Sequence, residues 1–136
     1  MCNRLKKIKM SKEEMDNFLV SIGGLKNGWK PDKSPIIDSY IFGVKEGWFP
    51  IIKELIEDLI LLGWNKEITQ VKEKFGGLRF YINGGTDEIH DRIVEAERKS
   101  YTICEITGKP GELRKDIGWF RTLCDEEYIK IKGDEK

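Results

Sequence analysis

The chain has 136 residues, with 24 Lys and Arg against 24 Asp and Glu, 39% apolar and 35% charged. That length supports one compact domain with one core, and the balanced charge excludes the broad basic excess of a generic nucleic-acid binder. No apolar run reaches the about 20 residues of a membrane span, and the basic start (Arg4, Lys6, Lys7, Lys9) lacks the apolar stretch of a signal peptide.

The three cysteines, Cys2, Cys104 and Cys124, are an odd and low count. They point to free thiols in a reducing cytoplasm. The expectation is a cytoplasmic protein with no membrane contact. Residues 1–10 read as a basic flexible arm. Ser11 is a candidate N-cap and Glu14 completes a capping box, opening a helix whose stripe is Met15, Phe18, Leu19 and Ile22. Gly23-Gly24 stops it. Residues 25–48 form an irregular, ordered connection, with Pro31 and Pro35 excluding a helix and a short strand predicted near Ile36 to Phe42. Pro50 suits the first turn of a second helix, which carries Ile51, Ile52, Leu55, Ile56, Leu59, Ile60 and Leu62 on one broad face and ends at Gly63.

The segment Gln70 to Asn83 reads as a β-hairpin turning at Gly76-Gly77. That turn places Phe75 opposite Leu78, Glu73 opposite Phe80 and Val71 opposite Ile82 on an apolar face. The other face pairs Lys74 with Arg79, Lys72 with Tyr81 and Gln70 with Asn83. Thr86 then caps a third helix, with Asp87 and Glu88 in its first turn and Ile89, Ile93, Val94 and Ala96 on its buried side. Glu97 and Ser100 continue that side, an unusual place for polar residues. The lone histidine, His90, reads as a satisfied surface residue. Strands are predicted over Tyr101–Ile106 and Trp119–Leu123, joined by a turn at Thr107–Gly111, and Asp125 caps a short helix through Ile131. Residues 132–136 are predicted to be a flexible tail.

The fold predicted is α+β: two or three helices packed on a central antiparallel hairpin, followed by a C-terminal zinc-ribbon-like hairpin. Residues 11–131 form the single domain, with 101–131 as the zinc-ribbon-like submodule. Cys104 and Cys124 each open a short motif whose second ligand position, three residues on, holds Thr107 and Glu127. Two thiolates and one carboxylate make a poor closed zinc site. The expectation is no cofactor, with Cys104, Cys124 and Glu127 as weak metal candidates and Ile103, Ile106, Trp119, Phe120 and Leu123 holding the hairpin in place of metal. A Cys104–Cys124 disulfide is a third option, disfavoured by the compartment.

The segments Gly47-Trp48-Phe49-Pro50, Gln70 to Tyr81, Ala96-Glu97 with Ser100, Cys104-Glu105, Gly108-Lys-Pro-Gly111 and Gly118 to Asp125 resemble a family of small proteins from bacteriophages and prophages. The resemblance covers about residues 43–127. It implies Cys-x-x-Cys and Cys-x-x-His in the last module, from which this chain departs at Thr107 and Glu127. It implies the context of an accessory gene of a mobile element, acting against host defence or host regulation.

Two readings of the polar residues compete. In one, Glu73 pairs with Arg121 or another cation, and Glu97 and Glu105 satisfy Arg79 or Lys74, giving a structural charge network. In the other, Lys72, Lys74 and Arg79, with Arg121, meet an anionic ligand while Tyr81, Trp48 or Trp119 offers a stacking face. No nucleophile elbow, His-Glu-x-x-His or Walker pattern is present, so no catalytic residues are assigned. The expected function is a phage- or mobile-element-encoded, non-catalytic binding protein. It inhibits a host defence protein or sequesters a nucleotide-type ligand. The alternative is a nucleic-acid-binding accessory protein using the basic hairpin face. Trp29, Trp48 and Trp119, if exposed together, would support a homo-oligomer.

Overall fold

The computed structural model describes residues 9–27, 35–37 and 42–134. The fold is α+β: four helices and two small sheets among the described residues. Helix α1, Lys12–Ser21, opens on the predicted capping box, with Ser11 Oγ accepting from Glu14 N–H and Glu14 returning the bond to Ser11 N–H. Met10 is buried in the core just before it, so the arm predicted over residues 1–10 is anchored at its end. Residues 1–8 lie outside the described residues.

Strand β1, Phe42–Gly43, runs parallel to strand β2, Ile68–Lys74, which pairs antiparallel with strand β3, Gly77–Ile82. Of the strand predicted near Ile36 to Phe42, the described residues place Phe42 in β1. Ile36 makes only an isolated bridge to Leu25, and residues 38–41 lie outside the described residues. A 3-10 turn, Glu46–Trp48, leads into helix α2, Phe49–Leu61, with Pro50 in its first turn. Ile51, Ile52, Leu55, Ile56 and Leu59 are buried in one cluster with Val71, Leu78 and Phe80 of the sheet. Each such side chain contributes roughly 1.5–3 kcal/mol. Leu62, placed on this face by periodicity, is exposed because the helix has ended and Gly63 has turned the chain at φ +96°.

The hairpin turns one residue earlier than predicted. Lys74 pairs with Gly77, Glu73 with Leu78, Lys72 with Arg79, Val71 with Phe80 and Gln70 with Tyr81. Phe75 and Gly76 are the two turn residues, both at positive φ (+54° and +87°). One local bond and two contacts from distant sequence select this register. Gly76 N–H donates to Glu73 Oε2 at 2.6 Å, and Gly76 C=O accepts from Thr122 Oγ1 at 2.7 Å. Gly77 lies against the Tyr101 ring so closely that a Cβ would sit 2.3 Å from it. The second glycine serves close approach and not the turn. The pairing moved by an even step, so the two faces keep their predicted membership, apart from Phe75.

Helix α3, Asp87–Ser100, begins with Thr86 Oγ1 accepting from Ile89 N–H. It buries Ile89, Ile93 and Ala96, while Val94, predicted to be buried, is exposed. Its last turn covers the open edge of β3. Leu78 N–H donates to Ser100 Oγ at 2.9 Å and Phe80 N–H to Glu97 Oε2 at 3.0 Å. Arg79 folds back onto the Leu78 carbonyl at 2.9 Å. This explains the two polar residues on the helix's inner side. They replace the missing neighbouring strand and block edge-to-edge pairing.

The C-terminal module departs most from expectation. Residues 101–106 are turns with one bridge, Ile103 to Pro110, and not a strand. The hairpin consists of β4, Glu112–Arg114, and β5, Arg121–Leu123. Cys104, Ile117, Leu123 and Cys124 form its small core, supported by Ile106, Tyr128 and Ile131. Trp119 and Phe120, predicted to hold this core, are exposed by 55% and 41% because they precede the strand in an open turn. Helix α4, Asp125–Asp134, begins at Asp125 and extends through the start of the predicted tail. No helix among the described residues is long and apolar enough to cross a membrane.

Ser100→Ala removes the acceptor for the buried Leu78 N–H and should cost about 1–3 kcal/mol, read as a lower urea midpoint with an unchanged slope.

Candidate functional site

The outer face of the hairpin carries Gln70, Lys72 and Lys74 on β2 and Arg79 and Tyr81 on β3. Lys72 and Arg79 stand directly opposite each other, an arrangement that destabilises an isolated sheet. Neither Lys72 nor Lys74 has a carboxylate partner among the described residues. Lys72 Nζ lies 5.9 Å from the Tyr81 ring centre and Lys74 Nζ 5.7 Å from that of Phe75. Arg79 reaches the Tyr101 hydroxyl at 3.4 Å. The expected pairing of Arg79 or Lys74 with Glu97 and Glu105 does not form. Glu97 is taken by the β3 backbone and Glu105 by Arg121.

The aromatic character continues around the tip. Phe75 is 64% exposed and meets Phe120 edge-on at 6.4 Å, with Lys115 Nζ 5.7 Å from the Phe120 ring centre. A bulky residue in the left-handed region costs about 1–2 kcal/mol. Here it directs a large apolar side chain into solvent. Sequence reasoning missed Phe75 as a surface group because its position depended on the turn register.

Trp48 belongs to neither surface. It is fully buried, and its indole N–H donates to Ile103 C=O at 2.8 Å. It is therefore unavailable for stacking or for a shared exposed tryptophan patch, and Trp29 lies outside the described residues. Arg121 and Trp119 lie on the other side of β2, around a groove of about 470 Å³ between the sheet and the C-terminal module. Phe42, Gly43, Val44 and Lys45 form one wall, and Glu73 and Glu105 the floor. Arg121 Nε donates to Glu105 Oε1 at 3.1 Å. Glu73 lines the groove but does not pair with Arg121; its carboxylate holds the hairpin turn instead.

Glu105 is 3% exposed. Burial holds its carboxyl above the usual range against the opposing charge and hydrogen bond of Arg121, with Glu73 adding repulsion and Lys45 attraction. The folded chain thus retains a proton at a pH where the unfolded chain has lost it. The contribution to stability is fully present at low pH and fades as pH rises through the raised value.

Cys104 and Cys124 are free and buried. Thr107 occupies the second-ligand position of the first motif. Its N–H donates to Cys104 Sγ at 3.4 Å and its hydroxyl to Cys124 Sγ at 3.6 Å. Burial opposes a thiolate at Cys104, but hydrogen bonds from Thr107 and from the N–H groups of Cys124 and Ile106 hold its thiol below the usual range. Glu127 pairs with Lys130. Among the described residues no three His, Cys, Asp or Glu side chains converge as a metal site would require. His90 Nε2 is bonded to Gly84 C=O at 2.7 Å.

Comparison with family models, curated proteins and solved structures finds no match to this chain.

Two measurements follow. Glu105→Gln does not titrate, so its stability relative to the wild type should rise as pH increases from the ordinary carboxylate range through the raised value. Phe75→Asn relieves the left-handed strain and should raise stability by up to about 1 kcal/mol. A loss larger than that on urea unfolding would assign Phe75 to the fold.

Proposed function

We propose that this chain is a non-catalytic binding protein whose outer hairpin face docks on an anionic surface of a host macromolecule. The observation that carries this is the set of cations on one sheet face, Lys72, Lys74 and Arg79, with no carboxylate bonded to any of them among the described residues. Like charges opposite each other cost stability in the free protein and gain it only against an anion. The flanking aromatics Tyr81, Phe75 and Phe120 add the large apolar contacts that anchor protein interfaces. An open face of this kind suits a macromolecule better than a small ligand, which needs walls on several sides. The phage-type resemblance supplies the partner class, a host defence protein inhibited by occupation of its surface in the host cytoplasm.

Alternation of cations with exposed rings also suits single-stranded nucleic acid, the second reading. Salt separates the two. Binding to a single-stranded oligonucleotide should weaken log-linearly with salt, whereas a protein interface with an aromatic centre should persist at moderate salt.

Lys72→Glu with Lys74→Glu should abolish capture of the host partner in a pull-down and leave the thermal midpoint within about 2 °C, since both side chains lie on the solvated face. Capture undiminished by this reversal would overturn the reading.

A further inference from the structure

We propose that the groove between Glu73 and Trp119 is a second binding site, built for a guanine nucleotide. The base would lie on Trp119 against Glu105 and Arg121, and the phosphate would extend toward Lys45. This site does not rest on the hairpin face described above.

A buried ion pair is a poor device for stability, because each ion loses hydration that the partner rarely restores in full. Glu105 and Arg121 nevertheless sit side by side at the floor of an open groove. Their bonding capacity is only partly used. Arg121 donates through Nε alone, leaving both terminal amino groups without a protein acceptor among the described residues. Glu105 accepts through Oε1 and Glu73 through Oε2, which leaves one carboxylate oxygen on each without a donor among the described residues. The groove thus presents unused acceptors beside unused donors.

Guanine matches that arrangement. Its N1–H and N2 amino group are adjacent donors suited to carboxylate oxygens, and its O6 and N7 are adjacent acceptors suited to a guanidinium. Adenine has one amino donor on its pairing edge and satisfies fewer of these groups. Trp119 supplies the planar face. Its indole is more than half exposed and stacks on no other ring among the described residues. Stacking of a base on such a ring is worth about 1–3 kcal/mol.

The phosphate has a direction to take. A second cavity of about 420 Å³ shares Phe42, Val44 and Lys45 with the groove and adds Lys9, Lys12 and Glu46. Three lysines with one carboxylate, Glu46, line that end, and Glu73 and Glu105 with one lysine, Lys45, line the other. That polarity fits a molecule with a hydrogen-bond-donating base and an anionic tail.

The test uses the full chain with GMP, AMP, guanosine and inorganic phosphate, followed by tryptophan fluorescence and thermal midpoint. GMP should quench emission and raise the midpoint, with at least tenfold tighter binding than AMP. Guanosine should bind more weakly than GMP, and phosphate alone should do neither. Trp119→Leu, an exposed position, should keep the wild-type midpoint without ligand and lose at least tenfold in GMP affinity. Glu73→Gln keeps an acceptor for the turn and should narrow the gap between GMP and AMP. Lys72→Glu with Lys74→Glu should leave GMP affinity unchanged, which separates this site from the hairpin face. No response to millimolar GMP, equal affinity in Trp119→Leu, or equal stabilisation by phosphate or by a free amino acid would overturn the proposal.

Discussion

Burial of Trp48 joins the two halves of this protein. The indole fills the space between α2 and the sheet, and its one polar atom is matched by the Ile103 carbonyl. An unmatched indole N–H at that depth would cost roughly 1–3 kcal/mol, so the position of residue 103 is set by this bond. Gly47 completes the joint. Its N–H donates to Glu105 C=O at 2.8 Å, and a Cβ there would come within 2.3 Å of the Cys104 carbonyl. The small C-terminal core could not hold an orientation by itself. Docked on Gly47-Trp48, it is pinned, and the side chain of Glu105 is directed into the groove.

The second constraint acts at β3. A two-stranded hairpin with a two-residue third strand would leave a long open edge. Helix α3 closes it with side chains, Ser100 and Glu97, in place of a strand. That choice has consequences for the rest of the sheet. It fixes β3 from outside, so the turn must fall at Phe75-Gly76, and Phe75 is left projecting from the tip at a strained φ. It also engages Glu97, whose charge acts on Arg79, in backbone bonding, and leaves the outer cations without a bonded carboxylate among the described residues. Edge protection and an unneutralised basic face thus arise from one set of contacts.

Sheet β1–β3 consequently has two sides with different chemistry. The outer side is open, cationic and aromatic, and suits a broad anionic surface. The inner side meets the C-terminal module in a walled groove where buried acceptors and donors lie together. In the last module, the threonine at residue 107 bonds to both cysteine sulfurs. Cys104, Ile117, Leu123 and Cys124 form the small core there, and Arg114 over the Tyr128 ring at 4.4 Å braces the outside.

Local signals in the sequence determined the helices. Ser11 with Glu14, Thr86 with Asp87 and Glu88, and Pro50 with Gly63 act over a single turn of chain, so their outcome does not depend on the remainder. The same holds for the two faces of the hairpin, because side-chain alternation survives an even shift in pairing. Only the tertiary structure decided what required a distant partner. The turn register was selected by Tyr101, Thr122 and Ser100, and the parallel β1 strand by contact with β2 across 28 residues of chain. Trp48 reads in sequence like any large aromatic, and packing alone made it core while leaving Trp119 in solvent. Glu73, Glu105, Arg121 and Lys45 come from four separate stretches of chain. Their meeting in one groove follows from the Gly47-Trp48 joint, a contact no local periodicity encodes.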